Sequence, residues 1–94
     1  MRDDDFEWDD AKDVENYAKH GIGFEDARGV FDDQFAVDGV DENEAYGEER
    51  FTAIGMVRGV LLFVVYTERG ARVRLISARR ATKYEQDDYY QQDL

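Results

Sequence analysis

Seven arginines and one lysine fall between Arg50 and Lys83, against a single acidic residue, Glu68. An arginine side chain is planar, permanently charged and able to pair with two anion oxygens at once, so this concentration points to an anion-binding face. Its candidate ligands are Arg50, Arg69, Arg72, Arg74, Arg79 and Arg80. The plain alternative for each is a solvated surface ion pair of little energetic worth. His20 is the only histidine, and the only side chain whose unperturbed pKa lies near neutrality. It is either a proton carrier, with Lys19 beside it as an anion ligand, or a last-turn residue that complements a helix dipole. Glu49, just before Arg50, is a rival base or one more member of an acidic loop. One His without Cys leaves only carboxylates for a metal, in no calcium-loop pattern, and no phosphate-loop or dinucleotide fingerprint is present. No metal and no cofactor are expected.

The elements that must position these groups are built around Gly59–Arg80. Val60 to Tyr66 is the longest apolar run and, bounded by Gly, reads as a strand buried on both faces. The following segment sets Arg72 and Arg74 against Val73 and Leu75. The two form a hairpin joined through Thr67-Glu68-Arg69-Gly70, and the neighbours Arg79 and Arg80 leave its end in opposite directions. Arg50 to Val57 is a further strand, with Phe51, Ala53, Gly55 and Val57 on one face, and Arg58-Gly59 is its two-residue link. Phe35 to Val40 reads as an edge-like strand, and Asp41 to Glu49 as a solvated acidic loop.

Upstream, Asp9 or Asp10 caps a helix with an apolar stripe of Ala11, Val14, Tyr17 and Ala18, closed by Lys19, His20 and Gly21. Gly23 opens a shorter helix that carries Phe24, Ala27, Val30 and Phe31 and ends at Asp32-Asp33. Both stripes are expected to bury on the same sheet. Phe6-Glu7-Trp8 is a short strand or an anchor. Thr82 and Glu85 match a capping box, so a last helix starts there, carrying Tyr84, Tyr89 and Tyr90. The expected fold is α+β, with two N-terminal helices and one C-terminal helix packed on a three- to four-stranded antiparallel sheet.

Ninety-four residues make one domain, 1–94. The acidic opening MRDDDFEWDD lacks a secretory signal, and no apolar run approaches the ~18 residues of a membrane span, so a cytoplasmic protein with no membrane partner is expected. The net charge of −11 would argue against a nucleic-acid partner. Its distribution reverses that inference. Residues 1–49 carry 18 acidic and 4 basic side chains, residues 50–83 carry 8 basic and 1 acidic, and residues 84–94 carry 4 acidic and none basic.

Phe6-Glu7-Trp8-Asp9, Lys12, Lys19-His20-Gly21, Phe24-Glu25 and Val30-Phe31-Asp32-Asp33 run in the order seen in the BrnT toxin family. The second half resembles it more specifically, through Gly47-Glu48-Glu49-Arg50-Phe51, Ile54-Gly55, Val65-Tyr66-Thr67-Glu68-Arg69 and Ile76-Ser77-Ala78-Arg79-Arg80-Ala81-Thr82. The resemblance covers about residues 6–85. It departs where Asp10 and Gln34 replace usual prolines, where Gly23 replaces a common serine cap, and in the acidity of the last helix.

The resemblance implies a RelE-like ribonuclease that halts translation, with helices on one side of an antiparallel sheet. Its implied partners are RNA and a BrnA-type ribbon-helix-helix antitoxin in a 2:2 assembly, with operator DNA touched only through the antitoxin. Metal-free RNA cleavage requires the 2′-hydroxyl to lose a proton, the phosphate to take on charge and the 5′-oxygen to gain a proton. Arg79, Arg80, Arg69, Glu49 and His20 are the catalytic candidates, and Lys19, Arg50, Arg72 and Arg74 the substrate-binding ones. The competing reading is a non-catalytic co-repressor module that binds its antitoxin through the same arginine-bearing surface.

Overall fold

A computed structural model describes residues 1–42 and 47–92. In chain order the elements are β1 (Phe6–Glu7), α1 (Asp10–His20), α2 (Phe24–Ala27), a 3-10 helix (Arg28–Asp32), β2 (Val37–Asp41), β3 (Arg50–Val57), β4 (Val60–Arg69), β5 (Arg72–Arg80) and α3 (Lys83–Tyr90). The sheet has five strands in the order β1-β5-β4-β3-β2. The three long strands form the expected meander, and β2 is the expected edge. The expected all-antiparallel sheet of three or four strands needs correction, because β1 adds a parallel edge, with Phe6 beside Val73 and Glu7 beside Arg74. A two-residue strand whose partner lies more than sixty residues away has no local turn to announce its direction.

The helices sit on both faces, not one. Phe24, Ala27 and Val30 pack with Ala53, Leu62, Val64, Tyr66, Leu75 and Ala78 in the main core. On the opposite face Tyr89 of α3 joins Ile54, Leu61 and Ala81 in a smaller cluster. Period-2 alternation along β4 explains the division, because 62, 64 and 66 face one way and 61 and 63 the other. The closest approach in the main layer is at Gly55, where a Cβ would stand 2.7 Å from Val30 Cγ1 and 3.1 Å from the Val30 carbonyl oxygen.

Helix α1 departs most from expectation. Asp9 caps it by accepting from the Ala11 and Lys12 N–H groups, and Gly21 ends it at φ 72°. Its apolar stripe faces solvent, however, with Val14 71% and Tyr17 64% exposed. The buried residue of this helix is Asn16, because α1 lies along the edge of β5, not across the sheet. There the Asn16 Nδ2 donates to the carbonyls of Ala78 and Ile22, each at 2.8 Å, and its Oδ1 accepts from the Ala78 N–H at 3.1 Å. The side-chain amide thus takes the place of a strand where β1 has run out.

Asp33 does the same at the other edge. Beyond Val37, β2 no longer covers β3, and the Asp33 carboxylate accepts from the Met56 N–H at 2.8 Å, from the Phe35 N–H at 2.9 Å and from the Tyr89 hydroxyl at 2.7 Å. That last bond ties α3 to the sheet. Asp13 completes the set: it accepts from the Phe24 N–H at 2.8 Å and caps α2, where Gly23 has no side chain to do so. Among the described residues no helix is long and apolar enough to cross a membrane.

Candidate functional site

The face of the sheet opposite α2 and the 3-10 helix is only partly covered. Helix α3 lies over Ile54, Met56, Leu61 and Phe63 at one end, and among the described residues no other helix covers the rest. Cross-strand partners share a face, so Thr52 with Val65, Arg74 with Thr67, and Glu7 with Arg74 belong to this open surface.

The arginines reach it through an irregularity. Strict alternation from Arg72 and Arg74 would put Arg79 in the core layer and Arg80 on the open face. Instead Val65 pairs with Ser77 while Tyr66 pairs with Leu75, so Ile76 is an extra residue, a β-bulge. The bulge resets the alternation. Leu75 and Ala78, three apart, both enter the core, and Arg72, Arg74 and Arg79 share the open face. Arg80 pairs with Leu62 and turns to the other side. It is exposed there, beside Ile22, Val57 and Val60 at the end of the sheet. The structure therefore separates Arg80 from the other candidate arginines.

The face carries two groups of charge. At the α3 end Arg79 donates to both Glu85 oxygens, at 2.7 and 2.9 Å, and its guanidinium carbon lies 4.3 Å from the Phe63 ring centroid. The Glu85 hydrogen bonds raise the Arg79 pKa further, outweighing burial. Burial pushes the Glu85 carboxyl up, but the Arg79 guanidinium and the Thr82 N–H outweigh it and hold the carboxyl below its ordinary range. At the far end Arg74 pairs with Glu7 at 2.8 Å. Glu48 lies 3.7 Å from Arg50 and 3.8 Å from Arg69, and Arg72 donates from Nε to the Asp3 carbonyl at 2.7 Å. Thr67, between Arg50 and Arg74, donates its hydroxyl to the Glu49 carbonyl at 2.7 Å.

Of the two neighbours, Glu48 thus reaches Arg50 and Arg69 with its carboxylate, whereas Glu49 contributes its backbone and keeps an exposed side chain. Sequence reasoning chose Glu49 because it abuts Arg50. Strand periodicity offers the missed signal: Glu48 and Arg50 are two apart and share a face if the strand path extends. Lys19 and His20 lie outside this cluster, across the β5 edge, where they line a cleft of about 200 Å³ with Lys12, Asn16 and Ser77.

A family model described as the ribonuclease toxin BrnT of a type II toxin–antitoxin system matches residues 8–85. The chain belongs to the BrnT family. A type II toxin has an antitoxin as its partner, and the family's activity is that of a ribonuclease. Among curated proteins, none matches the chain significantly. The matched span takes in β3, β4, the bulged β5 and the first turn of α3, so every arginine of the open face of this BrnT chain lies within it.

Proposed function

We propose that this chain is a metal-independent endoribonuclease that binds RNA along its open sheet face, and that a BrnA-type antitoxin silences it by covering that face. One observation carries the reading: the bulge at Ile76 turns Arg79 onto the same sheet surface as Arg50, Arg72 and Arg74, a surface that no helix among the described residues fully covers. Thr67 and Phe63 are four residues apart, which at ~3.3 Å per residue separates the two arginine groups by roughly 13 Å. One phosphate cannot touch both, so the RNA backbone lies along the strands and spans them.

The reacting phosphate sits at the Arg50–Arg69–Arg74 end. There the guanidinium groups take up the charge of the transition state, held in place beforehand by Glu7 and Glu48. Glu48 removes the 2′-hydroxyl proton, because Glu85 is fully engaged by Arg79 and Thr82, and the 5′-oxygen, expelled as the 2′-oxygen bonds to phosphorus, takes its proton from water. Arg79 holds a neighbouring phosphate. Lys12, Lys19 and His20 receive the strand as it leaves over the β5 edge, and Arg80 stays outside the reaction. Cutting messenger RNA in the cytoplasm would inhibit translation. A ribbon-helix-helix antitoxin dimerises, which supports a 2:2 assembly in which the toxin meets operator DNA only through its partner.

The test is incubation of the purified protein with RNA at low salt and with EDTA, beside Arg74→Ala and Arg79→Ala variants. The parent should cut, leaving 2′,3′-cyclic phosphate ends, and each variant should lose roughly 100-fold in rate. No cutting by the parent, with or without ribosomes, overturns the proposal. That outcome favours the second reading, a non-catalytic antitoxin-binding module. One observation supports it: Arg72, Arg74 and Arg79 already have partners in Asp3, Glu7 and Glu85.

A further inference from the structure

Beyond Arg79 the open face deepens into a trough of about 310 Å³ between α3 and the edge strand β2. Gly39 and Thr52, a cross-strand pair, and Phe63 line it from the sheet, and Tyr84 and Asp88 from α3. Tyr84 and Asp88 are four apart on the helix, so the ring and the carboxylate stand side by side. The ring is 77% exposed. Among the described residues Asp88 has no cation, whereas its neighbours on α3 are paired, Glu85 with Arg79 and Asp87 with Lys83. Asp38 also lines the trough, although its pairing with Ala53 turns its side chain towards the α2 face. Gly39 keeps the floor open, since a Cβ there would meet the Thr52 hydroxyl at 2.9 Å.

We infer that this trough is a nucleobase subsite selective for guanine. The inference rests on the reading that RNA lies on this face, and it names the base that face selects. A phosphate is repelled by Asp88, whereas a base finds an aromatic ring to stack on and a carboxylate to hydrogen-bond. A carboxylate only accepts. Of the four bases, guanine alone presents two adjacent donors, N1–H and the N2 amine, which match the two oxygens. Adenine and cytosine set an acceptor beside their amine, and uracil flanks its one N–H with carbonyls. Arg79 packs on Phe63 at the mouth, so the sugar-phosphate of the same nucleotide falls to the arginine.

The experiment compares binding of the four ribonucleoside 3′-monophosphates to the full chain, followed through the Gly39 amide resonance. Guanosine 3′-monophosphate should bind roughly tenfold tighter than the others, and Asp88→Asn should remove that preference. Equal binding of all four, no binding, or a preference unchanged in Asp88→Asn overturns the inference. A second arm maps cut sites in a mixed-sequence RNA. Guanine should recur at a fixed position beside the cut in the parent, and not in Asp88→Asn. Cutting by the parent without guanine enrichment sinks the subsite and leaves the ribonuclease reading intact. Selective guanosine binding without any cutting sustains the subsite and overturns the ribonuclease reading.

Discussion

Arg79 and Arg80 are adjacent in the chain, yet they meet different surroundings. Arg79 lies between the Phe63 ring and a two-oxygen contact with Glu85, and Arg80 lies on the opposite side of the sheet with no ion pair among the described residues. Arg80→Ala should therefore keep near-parental cleavage while Arg79→Ala does not, and single-turnover rates on one oligonucleotide separate the two. Equal losses would show that substrate wraps both faces. Glu48→Gln should cost roughly 100-fold, as removal of a general base does, and Glu49→Gln far less. The reverse ranking would return the base to Glu49.

At the scale of elements, two side chains finish the sheet where strands fall short. Replacing Asn16 by Leu leaves the Ala78 N–H and two carbonyls unpaired at a buried edge and should lower the unfolding free energy by about 2–3 kcal/mol in urea titrations. Gly55→Ala forces a methyl into Val30 and should cost about 1–3 kcal/mol by the same measurement. Helix α3 is held by two carboxylates, Glu85 and Asp33. Burial pushes the Asp33 carboxyl up, but the Met56 N–H, the Tyr89 hydroxyl and the Phe35 N–H outweigh it and hold it below its ordinary 3.8. With folded values lowered, their contribution is complete above the ordinary Glu value of 4.5 and is lost as pH falls through the lower folded values. Tyr89 behaves oppositely. Its hydrogen bond to Asp33, together with burial, pushes it from 10.0 to about 12, so its contribution is full below pH 10 and lost as pH climbs towards 12. Near-ultraviolet circular dichroism across pH should show the tyrosine signal of α3 fading at both extremes, and Asp33→Asn should shrink the alkaline step to the part that burial contributes. A flat profile would mean that α3 is held by packing alone.

For the whole molecule, a net charge of −11 surrounds a local basic face. Long-range repulsion of RNA is screened over ~10 Å at 0.1 M salt, whereas the contacts on the face are shorter than that. The association rate with RNA should consequently rise with salt before it falls, as counterion competition overtakes the screening of repulsion. Stopped-flow measurements from low to high ionic strength test this, and a decline from the lowest salt onward would show that the basic face alone governs encounter.

Much of this architecture was legible in the chain itself. Val60–Tyr66 as the central strand, the Arg58-Gly59 link, the Asp9 and Thr82 caps and the block of arginines all follow from local rules: side-chain period, backbone freedom at glycine, and hydrogen bonds within a turn or two. What those rules could not supply was decided by contacts distant in sequence. The parallel pairing of β1 joins residues 6 and 73. The apolar stripe of α1 stays in solvent because the unpaired backbone at Ala78 draws Asn16 inward, and satisfying a buried strand edge outweighs burying Val14 and Tyr17. The sharpest case is the bulge at Ile76. Alternation alone would have assigned Arg79 to the core and Arg80 to the site. One inserted residue reverses them, because Leu75 and Ala78 must both fill the main core, and the side each arginine takes follows from that packing.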